Sequence, residues 1–212
     1  IGFGRYAGIV GAYNGLLTFG LKHNLYELKP ANLCKDRKEV EEELKKVKLP
    51  SNMKLILTGF GRVGHGAREI ISQLDIKEVS PEEFVSQEFE SPVFTHLEVE
   101  DYYAPKDGSD FVKSDFYKDP GSYKSTFSRF LSQADMYIPC HFWSNKADFI
   151  ITREDLKAED VRLSVVADIS CDIDCAIGCT IRSSKISDPI YGYNPETEKE
   201  DDFKKEGVIA VM

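Results

Sequence analysis

The segment Thr58-Gly59-Phe60-Gly61-Arg62-Val63-Gly64-His65-Gly66 constrains this chain most tightly. Met53-Lys54-Leu55-Ile56-Leu57 leads into it as a short apolar run suited to a strand. Ala67–Leu74 leaves it with apolar residues at helical spacing. Three glycines spaced G-x-G-x-x-G thus sit between a strand and a helix. Gly59 permits the tight turn, Gly61 lets the backbone approach a pyrophosphate, and Gly64 lets helix and strand pack closely. The unpaired N–H groups and positive dipole end of the helix favour phosphate. A Gly-rich turn alone means little; its strand-turn-helix setting points to dinucleotide binding through Gly59, Gly61, Arg62, Val63 and Gly64.

The charge balance narrows the choice of partner. With 27 basic and 36 acidic residues the formal net charge is −9. A sequence-independent grip on nucleic acid or an anionic membrane is therefore not expected. The apolar opening from Ile1 to Leu21 carries Arg5 and many glycines, so it reads as a packed helix, not a membrane span. Five cysteines in a chain long enough to build a core suggest reduced thiols and a cytoplasmic setting. Apolar elements at both ends, the last being Gly207–Met212, suggest a piece of a longer polypeptide.

Residues 5–22 form an expected helix with small residues at Gly8, Gly11, Ala12 and Gly15, suited to close packing. Residues 35–48 read as a charged amphipathic helix. Strands are expected at Ile76–Ser80, Ala134–Trp143, Leu163–Ser170 and 207–212, and helices at Tyr123–Ser132 and Thr152–Leu156. The stretch from Glu82 to Pro120 has no clean period. Alternating strands and helices predict an α/β, doubly wound Rossmann-type parallel sheet. Residues 1–50 would be an interdomain helix and a charged helical segment, and residues 51–212 the NAD(P)-binding domain.

In such a sheet a ligand binds at the carboxyl ends of the strands. Glu78 follows Gly59 at close to the usual spacing of about 20 and is a candidate for the adenosine ribose. Ser80, with Lys77 nearby, would instead tolerate a 2′-phosphate, which leaves NAD or NADP open. Cys140-His141-Phe142-Trp143 and Asp168-Ile169-Ser170-Cys171-Asp172 end two further strands and nominate Cys140, His141, Phe142, Ile169, Ser170 and Asp172. Cys171, Cys175 and Cys179 recur every four residues without a second ligand pair, so no metal site is assigned.

Four stretches together resemble a family: Phe3–Gly8, Gly59–Ala67, Thr152–Asp155 and Ala167–Asp172. Over nearly its whole length the chain resembles the nucleotide-binding domain of the lysine-forming saccharopine dehydrogenase and lysine–2-oxoglutarate reductase group. Alanine dehydrogenase and transhydrogenase are more distant likenesses. The resemblance implies a single domain cut from a larger two-domain protein, with the active site in the cleft between its domains. The implied reaction is hydride transfer between a nicotinamide cofactor and the imine that joins lysine to 2-oxoglutarate. Gly61, Arg62, Cys140, His141, Phe142 and Ile169 match cofactor-contacting positions, and Phe3 matches one near the substrate. Ser80 departs from the acidic residue common at its place. The family's acid–base Lys and His lie in the preceding domain, so no catalytic residue is assigned here and this chain alone is expected to be inactive. An alanine dehydrogenase-like enzyme and a non-catalytic nucleotide-binding module are the alternatives, and a homo-oligomer is left open.

Overall fold

Lys54–Thr58 is strand β1, buried at all five positions. The structure, a computed structural model, describes residues 2–212. Helices α1 (Gly4–His23) and α2 (Arg37–Leu44) precede β1, and the glycine turn leads from it into α3 (Arg62–Ile71). Next come β2 (Lys77–Glu78), α4 (Pro81–Ser86), β3 (Val93–Leu97), α5 (Val99–Tyr102), β4 (Tyr103–Pro105) and α6 (Lys113–Lys118). Then follow β5 (Tyr123–Ser125), α7 (Ser128–Leu131), β6 (Met136–Pro139) and β7 (Val165–Val166). The hairpin β8 (Tyr191–Asn194) and β9 (Lys199–Asp201) precedes β10 (Ile209–Val211).

Among the described residues the main sheet has eight strands in the order β2-β3-β1-β6-β7-β10-β8-β9. The first six are parallel, whereas β8 pairs antiparallel with β10 and β9 antiparallel with β8. The architecture is therefore α/β with a mostly parallel sheet, and the expectation of parallel strands alone is corrected at this edge. A short polar turn joins β8 to β9, with Glu198 at φ 56, and a tight turn requires antiparallel neighbours.

A second correction bears on the site. The strand that follows α3 in the chain, β2, lies on the outer edge of the sheet, and β3 sits between it and β1. Strand β3 falls inside the stretch that showed no period. Its five residues, Val93-Phe94-Thr95-His96-Leu97, are all buried, so no polar-apolar alternation marks them. The expected helix at Tyr123–Ser132 is instead strand β5 followed by one turn, α7. The Thr152–Leu156 helix is a 3₁₀ turn, Asp155–Lys157, with the Asp155 carboxylate accepting from the Thr152 N–H at 2.8 Å.

Apolar side chains cover both faces of the sheet. Leu55 and Leu57 of β1 pack in a cluster with Ala12, Leu16 and Ile70 from α1 and α3. Ile56, pointing the other way as a strand's alternation requires, joins Phe84, Tyr102, Phe127 and Phe130. The small-residue stripe of α1 meets α3: a Cβ on Gly8 would come within 1.9 Å of the Val63 carbonyl oxygen. Helix α1 thereby buttresses the first turn of α3. Among the described residues no helix is long and apolar enough to cross a membrane.

Candidate functional site

The three glycines of the turn differ in what surrounds them. Gly59 has φ +88°, a region that favours glycine, and a Cβ there would lie 2.6 Å from the Cys140 carbonyl oxygen. A Cβ on Gly64 would lie 1.8 Å from the Gly59 carbonyl oxygen, so the turn and helix touch through bare backbone. Gly61 differs from both: a Cβ there would meet nothing within 4 Å. It is the N-cap of α3 and supplies no side-chain bond to the helix, so the first-turn N–H groups remain available.

That open side of the turn faces a cavity of about 740 Å³, a volume within the range of small-molecule sites. It is lined by Gly59–Val63, by Lys113, Phe116, Tyr117 and Lys118 of α6, by Val99, Tyr102 and Tyr103, and by Cys140–Ser144. Four cationic side chains (Arg62, Lys113, Lys118 and Lys146) line the cavity against one carboxylate, Glu98. In a chain of net charge −9 this is a local reversal of sign, and it favours an anionic ligand. Exposed ring surface is also present: Phe142 is 84% exposed and Phe60 41%. Such rings suit a planar base.

His141 occupies the rim where β6 ends. Its Nδ1 lies 3.0 Å from Thr58 Oγ1 and 3.4 Å from the Tyr137 hydroxyl, and the two hydroxyls are 3.0 Å apart. The Nε2 atom is buried with no partner. Burial holds this imidazole down at about 4, so it is neutral at pH 7. Burial likewise pushes the Cys140 thiol well above its ordinary value, which makes it an inert packing group.

The structure brings Gly59, Gly61, Arg62, Val63, Cys140, His141 and Phe142 to the cavity. Gly64 lies directly beneath, against Gly59. Glu78 and Ser80 are not brought there. Glu78, on the edge strand, pairs with Arg68 at 2.7 Å, and Ser80 caps α4, its hydroxyl accepting from the Glu83 N–H at 3.2 Å. Both are consumed by local structure because β2 is displaced outward by β3. Glu98 was missed: it directly follows β3, the strand next to β1, and is the carboxylate that lines the cavity. The signal was a buried β-branched and aromatic run ending in an acid, at nearly twice the usual distance from Gly59 because β2 and α4 intervene.

Ile169, Ser170 and Asp172 follow β7 at the same end of the sheet but do not line the cavity. Ile169 is packed on α1, where a Cβ on Gly11 would come 2.4 Å from its Cγ1. Ser170 donates to the buried carboxylate of Asp168 at 2.6 Å, and Thr180 donates to the same group at 2.6 Å. Asp172 is exposed. Phe3, the expected substrate-side residue, is 74% exposed at the start of α1. Comparison with known protein families and with characterised proteins finds no match for this chain.

Proposed function

We propose that this chain binds a nicotinamide dinucleotide, NAD(H) or NADP(H), as the nucleotide-binding domain of a saccharopine dehydrogenase-like oxidoreductase. One observation carries the reading. The uncapped N-terminus of α3, open at Gly61, faces an aromatic, locally cationic cavity with a single carboxylate at the tip of the neighbouring strand. The pyrophosphate would rest on the first-turn N–H groups beside Arg62, and the adenine among Val99, Tyr102 and Phe142. Glu98 would accept from the adenosine ribose hydroxyls, an arrangement that favours NAD(H). Apolar clusters on both faces of the sheet support a doubly wound Rossmann-type assignment.

The cofactor, when bound, supplies the hydride; this chain's residues bind it, orient it and keep water from its adenosine half. By the resemblance, the acid–base pair and most of the substrate site belong to a partner domain of a two-domain protein. The cavity's own groups are binding groups, and His141 is held neutral, its Nδ1 against the Thr58 and Tyr137 hydroxyls and its Nε2 buried without a partner. That observation keeps a non-catalytic nucleotide-binding module as the second reading.

The natural protein, assayed by NADH and NADPH oxidation, separates these readings. Turnover with lysine plus 2-oxoglutarate supports the proposal. Turnover only with pyruvate plus ammonium indicates an alanine dehydrogenase-like enzyme. Nucleotide binding without turnover of either pair indicates the non-catalytic module.

A further inference from the structure

His96, on β3, is held from three directions. Its Nε2 lies 2.8 Å from the carbonyl oxygen of Gly59, the first glycine of the turn. Its Nδ1 lies 3.2 Å from Arg68 Nη1, on α3. The Phe60 ring lies flat on the imidazole, with centroids 3.6 Å apart and planes 10° from parallel. A carbonyl oxygen only accepts and a guanidinium N–H only donates, so the partners settle the tautomer: Nε2 carries the proton and Nδ1 is bare. Arg68 is fixed in turn by Glu78, through contacts of 2.7 and 2.5 Å from two nitrogens to two carboxylate oxygens. The charged groups facing His96 are Arg68 from α3, Glu78 from β2 and Glu98 from the N-cap of α5, just past the end of β3.

We propose that His96 is the positioning residue of the nucleotide-binding turn. Its Nε2–H pins the Gly59 carbonyl, and its ring seats Phe60 at the edge of the cavity. Gly59 and Phe60 are thereby set before any ligand arrives, which fixes the direction of the first-turn N–H groups of α3. Glu78 and Arg68 act through His96: the arginine donates to Nδ1 and forces the proton onto the nitrogen that faces the turn. Preorganisation of this kind lowers the ordering cost of binding. The proposal rests on the nucleotide-binding reading of the same site.

The test combines imidazole ¹⁵N spectra with NADH titrations and melting curves of wild type, His96→Phe, His96→Gln and Arg68→Met. His96→Phe keeps a flat ring on Phe60 but cannot donate to Gly59, whereas His96→Gln can donate an amide N–H. The expected results are an Nε2–H tautomer in wild type, about tenfold weaker NADH binding in His96→Phe, and recovery of most of that loss in His96→Gln. Arg68→Met, which leaves His96 in place, is expected to mix the tautomers and weaken binding, and it decides the matter if His96→Phe does not fold. An Nδ1–H tautomer in wild type, unchanged NADH affinity in the variants, or His96→Gln no better than His96→Phe would overturn the proposal. Wild type that binds no nicotinamide nucleotide overturns the parent reading with it; wild type that binds while the variants bind equally well overturns this one alone.

Discussion

Lys113 Nζ lies 2.6 Å from Glu98 Oε2, so the single carboxylate lining the cavity is already paired to the first lysine of α6. Both side chains are partly exposed, and the pair adds little to stability. Its consequence is for ligand choice. In the proposed complex the Glu98 carboxylate would accept from the ribose hydroxyls and disfavour a 2′-phosphate. Removal of Glu98 frees Lys113 to meet one.

Glu98→Ser is therefore expected to weaken NADH binding and strengthen NADPH binding, moving the ratio of the two Kd values by about tenfold or more. Glu78→Ser, at the edge-strand carboxylate, should leave that ratio unchanged. Parallel titrations of both variants with both nucleotides measure it. A ratio moved by Glu78 and not by Glu98 would return the ribose to the edge of the sheet.

Two glycines of the turn should respond in opposite ways. Gly61→Val places its side chain in open space and should change stability by less than about 1 kcal/mol. The same side chain occupies the approach to the pyrophosphate, so nucleotide affinity should fall at least about tenfold. Gly64→Ala drives a methyl group against the Gly59 carbonyl and should cost about 2–4 kcal/mol of stability. Chemical denaturation alongside titration separates the two effects.

Burial sets the pH dependence of folding. His141 is held down at about 4, and His23 and His96 are also lowered by burial. The unfolded chain takes up these protons as pH falls through about 6.5, and the folded chain resists until lower pH. Stability is thus fully present above about 6.5 and declines between there and about 4, with His141 alone contributing a loss on the order of 3 kcal/mol. Melting temperatures across this window should fall steadily. His141→Phe should flatten the slope, and an unchanged slope in that variant would show that the imidazole titrates freely.

Legibility in the sequence followed the range of the forces involved. The β1–turn–α3 unit was readable because backbone sterics decide it: Gly59 has a positive φ and Gly64 packs on the Gly59 carbonyl five residues back, while Gly61 stands open. Helix α1 was readable for a similar reason: its small residues pointed to close packing on a neighbouring element, which the structure shows to be α3 at Gly8 and Ile169 at Gly11. The order of strands was not readable. Val93–Leu97 is buried on both faces and carries Thr95 and His96 inward, so neither alternation nor hydrophobicity announced the strand beside β1. Glu78 had the expected spacing, but sheet order takes it to the edge of the sheet, and Glu98, just past β3, is the carboxylate that lines the cavity. Ser80 illustrates the same limit, since Pro81 and Glu83 make it a helix cap by local chemistry alone. The residues after β7 reach the same end of the sheet and are held there by the buried carboxylate of Asp168, which accepts from Ser170, Cys171 and Thr180, so they do not line the cavity.

The most direct measurement is calorimetric titration of this chain with NAD⁺, NADH, NADP⁺ and NADPH, repeated with Gly61→Val. Measurable binding is expected, tighter for the forms lacking a 2′-phosphate and lost in the glycine variant while its melting temperature holds. No heat from any of the four at millimolar concentration, or equal binding by wild type and Gly61→Val, would contradict it.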